Sequence, residues 1–294
     1  MFRGTGTALV TPFRDGQVDY KSFEDFMEFQ ISNGVDALIV LGTTGEAPSI
    51  TPKERAAIIS LAVRVSDGRV KVIVGSGSNS TEHTVEMSRE AIELGADGVL
   101  VVTPYYNKPT QEGLFQHYQK VASGVEGPII IYNVPGRTGS NILPETILRC
   151  AEIENIVAVK EASGDMIQVD RLIRGIRKKR SDFAVFSGND DQAFHLVCSG
   201  GDGVISVLSN VMPAETSEMI DSTIQGDLEH GREMHMKMFP LMRNLFVETN
   251  PIPVKYAVSR LGYCQNSLRL PLVPASENAM SLVDEALMEC GVRA

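Results

Sequence analysis

Residues 98–133 read GVLVVTPYYNKPTQEGLFQHYQKVASGVEGPIIIYN. The runs Gly98–Val102 and Pro128–Tyr132 are nearly continuous in apolar, β-branched character. Strands with one wet face alternate polar and apolar residues; an unbroken apolar run suits a parallel strand covered on both faces. Between the two runs, Gln111–Ser123 has helical period. Strand, helix, strand in about thirty residues is a βαβ unit.

The same rhythm continues in both directions. Further strands are expected at Gly6–Val10, Ala37–Leu41, Val70–Gly75, Ile156–Lys160, Phe183–Ser187 and Gly203–Val207. Tyr20–Asn33 places Phe23, Phe26 and Met27 on one helical face, and Met87, Ala91 and Leu94 form a stripe on another helix. Thr51, Pro52 and Glu54 open the helix Thr51–Ser66 as a capping box with proline at the first helical position. Leu143–Glu152 is a further helix. Eight strands in this order predict a closed (β/α)8 TIM barrel, an α/β fold, more readily than a doubly wound open sheet. The first strand–helix loop, VTPFRDGQ, also lacks the G-x-G-x-x-G of a dinucleotide site. Pro213–Gly226 is read as the eighth barrel helix. From Asp227 only helices follow, at Leu228–Val247, Pro253–Leu261 and Ser276–Glu289. The expected organisation is a barrel over 1–226 and a C-terminal helical domain over 227–294.

Composition bounds the function. The chain has 294 residues, 43% of them hydrophobic, which supports a large core. A formal net charge of −10 argues against a nucleic-acid partner. It leaves room for a small anionic substrate, because a local site can be positive inside an acidic protein. Cys150, Cys198, Cys264 and Cys290 are widely spaced, form no C-x-x-C pair and read as reduced thiols. The apolar run after MFRG is too short for a signal peptide, and no window reaches the length of a membrane span. The expected location is cytoplasmic.

Barrel chemistry collects at the C-terminal ends of strands. Those positions carry Gly42-Thr43-Thr44-Gly45-Glu46, Gly75-Ser76-Gly77, Thr103-Pro104-Tyr105-Tyr106-Asn107, Tyr132-Asn133, Lys160-Glu161, Ser187-Gly188-Asn189-Asp190 and Ser206. Small, hydroxyl and glycine residues in such a ring suit a compact ligand. Lys160 ends its strand. A lysine in an apolar barrel mouth loses hydration, which favours the neutral amine, and a neutral amine attacks carbonyls to form a Schiff base. The competing reading is an ion-paired lysine, with Glu161 as its partner. Tyr132, on the neighbouring strand, is placed to reach Lys160 and pass protons, with Thr43 and a tyrosine from the fourth strand as relay; alternatively it only packs. The GTTG loop suits a carboxylate, or is an ordinary tight turn. Arg137, in Pro135-Gly136-Arg137-Thr138-Gly139, can hold a second carboxylate, or is a solvated surface arginine.

No metal site is expected. His83, His117, His195, His230 and His235 are scattered along the chain, and H-x-x-x-H is absent. Gly188 and Gly200-Gly201 fall where barrels often hold phosphate, but no basic residue accompanies them.

Taken together, GTALVTPF, LGTTGE, VTPYYNKPTQEGL, IYNVPGRTG, VKEASGD, SGNDD, GGDGVISV, FVETNPIPVK and LRLPLVP make the chain resemble the dihydrodipicolinate synthase family, from Gly4 to the C-terminus. The resemblance implies that Lys160 forms the imine, that Tyr132, Thr43 and Tyr106 relay protons, and that Tyr106 reaches across a tight dimer into the neighbouring site. It implies that Thr44 contacts the pyruvate carboxylate, that Arg137 receives the carboxylate of L-aspartate 4-semialdehyde, and that Gly188 and Ile205 line the pocket. It implies no cofactor, and a homotetramer built as a dimer of dimers, with a homodimer as the alternative. The implied reaction belongs to diaminopimelate and lysine biosynthesis. A sugar-acid aldolase or lyase, acting on N-acetylneuraminate or a 2-keto-3-deoxy acid, is the nearest rival; those relatives typically lack arginine in this loop. Asn79 and Tyr105 match the effector site of lysine-inhibited members. Ala47, Pro48, Pro52, Arg55 and His83 depart from it, so weak or absent lysine feedback is expected.

Overall fold

A computed structural model describes residues 2–293. Eight parallel strands close into a barrel: β1 (Gly4–Ala8), β2 (Ala37–Val40), β3 (Lys71–Gly75), β4 (Gly98–Val102), β5 (Ile129–Asn133), β6 (Ile156–Glu161), β7 (Ala184–Ser187) and β8 (Gly203–Ser206). Each strand pairs with its successor, and β8 returns to β1, so the open-sheet alternative is excluded. Gly203 makes that last pairing possible. Its φ is +148°, and a Cβ there would stand 1.9 Å from the carbonyl oxygen of Gly4.

Eight helices ring the barrel: α1 (Tyr20–Ser32), α2 (Pro52–Ser66), α3 (Thr81–Glu93), α4 (Gln111–Gly124), α5 (Pro144–Cys150), α6 (Met166–Lys179), α7 (Asp190–Cys198) and α8 (Pro213–Gln225). The capping box of α2 is present: Thr51 Oγ1 accepts from the Glu54 amide at 3.3 Å, and a Glu54 carboxylate oxygen accepts from the Thr51 amide at 2.9 Å. Beyond α8 come α9 (Leu228–Asn244), α10 (Ile252–Arg260) and α11 (Glu277–Glu289). The α9 helix packs on α7 and α8, and α11 closes over α9 and α10. No described helix is long and apolar enough to cross a membrane.

Strand alternation builds two apolar layers. Ile73, Leu100, Ile130, Tyr132, Ala158, Phe186 and Ile205 face the barrel interior, where Phe2 stacks on Phe186 with ring centroids 4.4 Å apart. Val72, Val74, Val99, Val101, Ile129, Ile131 and Val159 face the helices. This parity decides the site: Ala158 and Lys160 point inward, whereas Val159 and Glu161 point out.

Three expectations need correction. The first strand is Gly4–Ala8 rather than Gly6–Val10. Gly4-Thr5-Gly6-Thr7 is buried but not apolar, so the apolar signal falls on Leu9 and Val10, which lie past the strand end. Phe13–Arg14 and Gln17–Val18 form a small antiparallel hairpin within the first strand–helix loop. Pro135–Thr138 is a single helical turn, not an open loop.

Candidate active site

Lys160 lies at the mouth of β6 and is 5% exposed. Burial pushes its ammonium down to about 8; the Asp190 carboxylate opposes the shift and the Arg137 guanidinium adds to it. At neutral pH the free-amine fraction is therefore far larger than for an ordinary lysine. The ion pair with Glu161 does not form. Glu161 accepts from Asn133 Nδ2 at 3.1 and 3.2 Å, from the Ser163 amide at 2.7 Å and from Gln168 Nε2 at 3.3 Å. Neutral donors outside the barrel satisfy it, which pins the end of β6 and leaves Lys160 inside.

Tyr132 and Lys160 are register partners on β5 and β6. Lys160 Nζ stands 4.5 Å from the centroid of the Tyr132 ring. Burial raises the Tyr132 phenol to about 12, with Arg137 opposing, so it stays protonated at neutral pH, with a proton to donate and an oxygen that can still accept. Gly188 follows β7, and its amide donates to the Glu161 carbonyl at 2.7 Å. A Cβ at Gly188 would lie 2.9 Å from Lys160 Cε and 2.7 Å from Ala162 Cβ. The lysine stem occupies the space that a side chain would need. Ile205, on β8, lines the interior layer and is fully buried.

Thr43 follows β2 in a tight loop flanked by two non-glycine residues in the left-handed region, Leu41 at φ 57° and Glu46 at φ 55°. Thr43, Tyr132 and Arg137 share the lining of one cavity of about 880 Å³. Arg137 sits on the single turn Pro135–Thr138, and its Nη2 donates to the main-chain oxygen of Asn250 at 3.1 Å. Thr44 is buried, and its hydroxyl accepts from Asn250 Nδ2 at 3.0 Å. One residue just before α10 thus ties the two groups expected to hold carboxylates.

A model of the Dihydrodipicolinate synthetase family matches residues 1–290. The chain belongs to this family. It is 62% identical over 292 residues to the 4-hydroxy-tetrahydrodipicolinate synthase of Kosmotoga olearia, covering 99% of each chain. The crystal structure of dihydrodipicolinate synthase from Thermotoga maritima has 54% identity and a TM-score of 0.98, with 99% of each chain covered. The chloride-inhibited dihydrodipicolinate synthase from Acinetobacter baumannii, complexed with pyruvate, has 41% identity and a TM-score of 0.96, with 100% of each chain covered.

Of the residues that the synthetase family resemblance singled out, Thr43, Tyr132 and Arg137 line the cavity, Thr44, Lys160, Gly188 and Ile205 are not among its lining residues, and Tyr106 stands apart from all of them. Tyr106 is 89% exposed, has a φ of 70°, and does not join the cavity that holds Tyr132; Tyr105 does. The same cavity extends to Ala47, Pro48, Pro52, Arg55 and His83. Arg55 is buried and committed to structure, donating to the Gly75 carbonyl at 3.0 Å, the Met87 carbonyl at 3.2 Å and Glu90 at 3.3 Å.

Asp190, Asn250, Glu46 and Lys255 acquire importance only in the folded chain. All four lie inside quoted family stretches (SGNDD, FVETNPIPVK, LGTTGE), yet nothing in their spacing points to a role. Two histidines that are distant in sequence do meet: His195 and His235 rings lie edge to face at 5.2 Å, packed with Phe194. Among the described residues no group of three metal-ligating side chains converges there or elsewhere.

Proposed function

We propose that the protein is a 4-hydroxy-tetrahydrodipicolinate synthase, a carbon–oxygen lyase that condenses pyruvate with L-aspartate 4-semialdehyde. The observation that carries this reading is Lys160: a buried amine at a barrel mouth, titrating near 8 and free of ion pairing with Glu161. The names of the relatives and the pyruvate complex of the Acinetobacter baumannii structure support it.

The Lys160 amine adds to the ketone carbon of pyruvate, and water leaves to give an iminium. The iminium withdraws electrons, a methyl proton departs, and an enamine forms. The enamine carbon bonds to the aldehyde carbon of the semialdehyde, whose carboxylate Arg137 holds. The amine of the second substrate then displaces Lys160 as the ring closes, releasing the enzyme. The net change expels one water and one proton. Tyr132 donates and recovers protons through Thr43 and Tyr106. Thr44 faces the pyruvate carboxylate, and the backbone at Gly188 and Ile205 lines the pocket beside it. No cofactor takes part, because the lysine iminium is the electron sink.

The exposure of Tyr106 supports an assembly in which this tyrosine completes a neighbouring site, in a dimer or a dimer of dimers. Arg137 at the cavity favours the synthase over a sugar-acid lyase, whose neutral polyol has no second carboxylate to bind. The structural commitment of Arg55, with the departures at Ala47, Pro48, Pro52 and His83, favours weak or absent lysine feedback; a calorimetric titration showing tight lysine binding would overturn that point. The decisive experiment for the function is borohydride reduction with pyruvate followed by peptide mass mapping. Modification at Lys160 is expected. Turnover with Lys160 left unmodified would end the proposal.

A further inference from the structure

Schiff-base chemistry places a positive charge on a buried nitrogen, and a buried charge without an anion is costly. Glu161, the nearest carboxylate in sequence, is turned out of the barrel. Another buried carboxylate is oriented differently. Asp190 opens α7, two residues beyond Gly188, whose missing side chain lets the β7 end lie against the Lys160 stem. Asp190 is 3% exposed. Its Oδ2 accepts from the amides of Val207 and Leu208, both at 3.0 Å, just past β8. Its Oδ1 has no hydrogen-bond partner among the described residues. No carboxylate oxygen of the described residues comes within ion-pair distance, 4.0 Å, of Lys160 Nζ.

We propose that Asp190 is the stand-off counter-charge of the Schiff base: a positioning residue, clamped by two β8 amides, that keeps the imine nitrogen on Lys160 protonated without touching substrate. This rests on the Schiff-base reading above and adds the residue that balances its charge. The spacing matters. A carboxylate in contact with Lys160 would hold the ammonium and suppress the nucleophile. At stand-off distance the same charge tolerates a neutral amine before attack and offsets the iminium afterwards. The titratable or charged groups acting on Lys160 are Asp190 at the start of α7, Arg137 after β5 and Tyr132 on β5; only Asp190 is a carboxyl group. Asp190 in turn feels the Lys160 charge from β6, beyond ion-pair distance, and accepts from the two clamping amides. Burial raises its carboxyl above the usual range, and those groups oppose the rise.

The test is Asp190→Asn, whose amide oxygen can still accept from Val207 and Leu208 while the charge is gone. Wild-type protein must first label at Lys160 with pyruvate and cyanoborohydride; failure there refutes the Schiff-base reading itself, independently of Asp190. Two measurements follow: the pH profile of that trapping, and the exchange of pyruvate methyl protons for deuterium, followed by nuclear magnetic resonance without the second substrate. Removing an anion lowers the Lys160 pKa, so the trapping midpoint in D190N should move down by about half a pH unit or more. Methyl exchange at its plateau, which needs the protonated imine, should fall by about tenfold or more. A D190N midpoint at the wild-type pH, whether the rates are unchanged or scaled by one common factor, overturns the proposal. Should D190N fail to fold by circular dichroism, Asp190→Ser replaces it, and a trapping midpoint left at the wild-type pH is equally fatal.

Discussion

Lys255 Nζ and Glu46 Oε1 meet at 2.5 Å with 0% and 2% of their side chains exposed, 209 residues apart in sequence. Glu46 Oε2 accepts from the Arg269 amide at 3.0 Å, and Lys255 Nζ lies 3.9 Å from the centroid of Phe13. The pair therefore fastens the loop that carries Thr43 and Thr44 to α10 and to the segment after it. Burial pulls the Lys255 ammonium below its ordinary range even with Glu46 opposing, so the attraction does not fully offset desolvation.

Lys255→Met should leave the Glu46 carboxylate buried and unpaired, lowering unfolding free energy by about 3–5 kcal/mol. Adding Glu46→Gln to the same chain should recover much of that loss, because no bare charge remains. Denaturant melts followed by circular dichroism measure both. A single variant within about 1 kcal/mol of wild type would show that the pair does not brace the loop.

Activity should follow the free amine of Lys160. Because the protonated form is inert, kcat/KM for pyruvate should climb about tenfold per pH unit below about 8 and flatten above it. The sign is fixed by the nucleophile: a depressed lysine pKa puts more amine at neutral pH. A rate that stays level or falls between pH 6 and pH 8 contradicts this assignment.

Arg137→Ala should separate the two half-reactions. Cyanoborohydride trapping with pyruvate should stay within a few-fold of wild type, while kcat/KM for the semialdehyde drops about a hundredfold as its carboxylate loses a bidentate partner. Equal losses in both steps would mean that Arg137 serves the pocket generally, through its bond to Asn250.

Tyr106 stands 89% exposed in its own chain, so its site should be a neighbour's. Tyr106→Phe and Lys160→Ala should each be nearly inactive alone. Unfolded and refolded together, they should regain activity, since a mixed pair contains one site with both Lys160 and Tyr106. Absence of recovery, with mixed assemblies shown to form by native mass spectrometry, would refute delivery across subunits.

The amino-acid sequence alone determined the barrel and its lysine. Strands buried on both faces must be apolar along their whole length, so β2 to β8 stand out as uninterrupted runs, and a lysine closing one of them is conspicuous. Helix starts are equally local, as the Thr51–Glu54 capping box shows. The first strand blurred because Gly4-Thr5-Gly6-Thr7 meets a packing need at barrel closure rather than an apolar one. Only the tertiary structure decided that Glu161 turns away from Lys160 while Asp190 acts on it, and that Asn250 reaches Thr44 and Arg137 across 206 and 113 residues. The physical reason is range. Periodicity and capping are written within a few residues of each other, whereas charge balance at the barrel mouth depends on strands and helices that become neighbours only when β8 closes on β1.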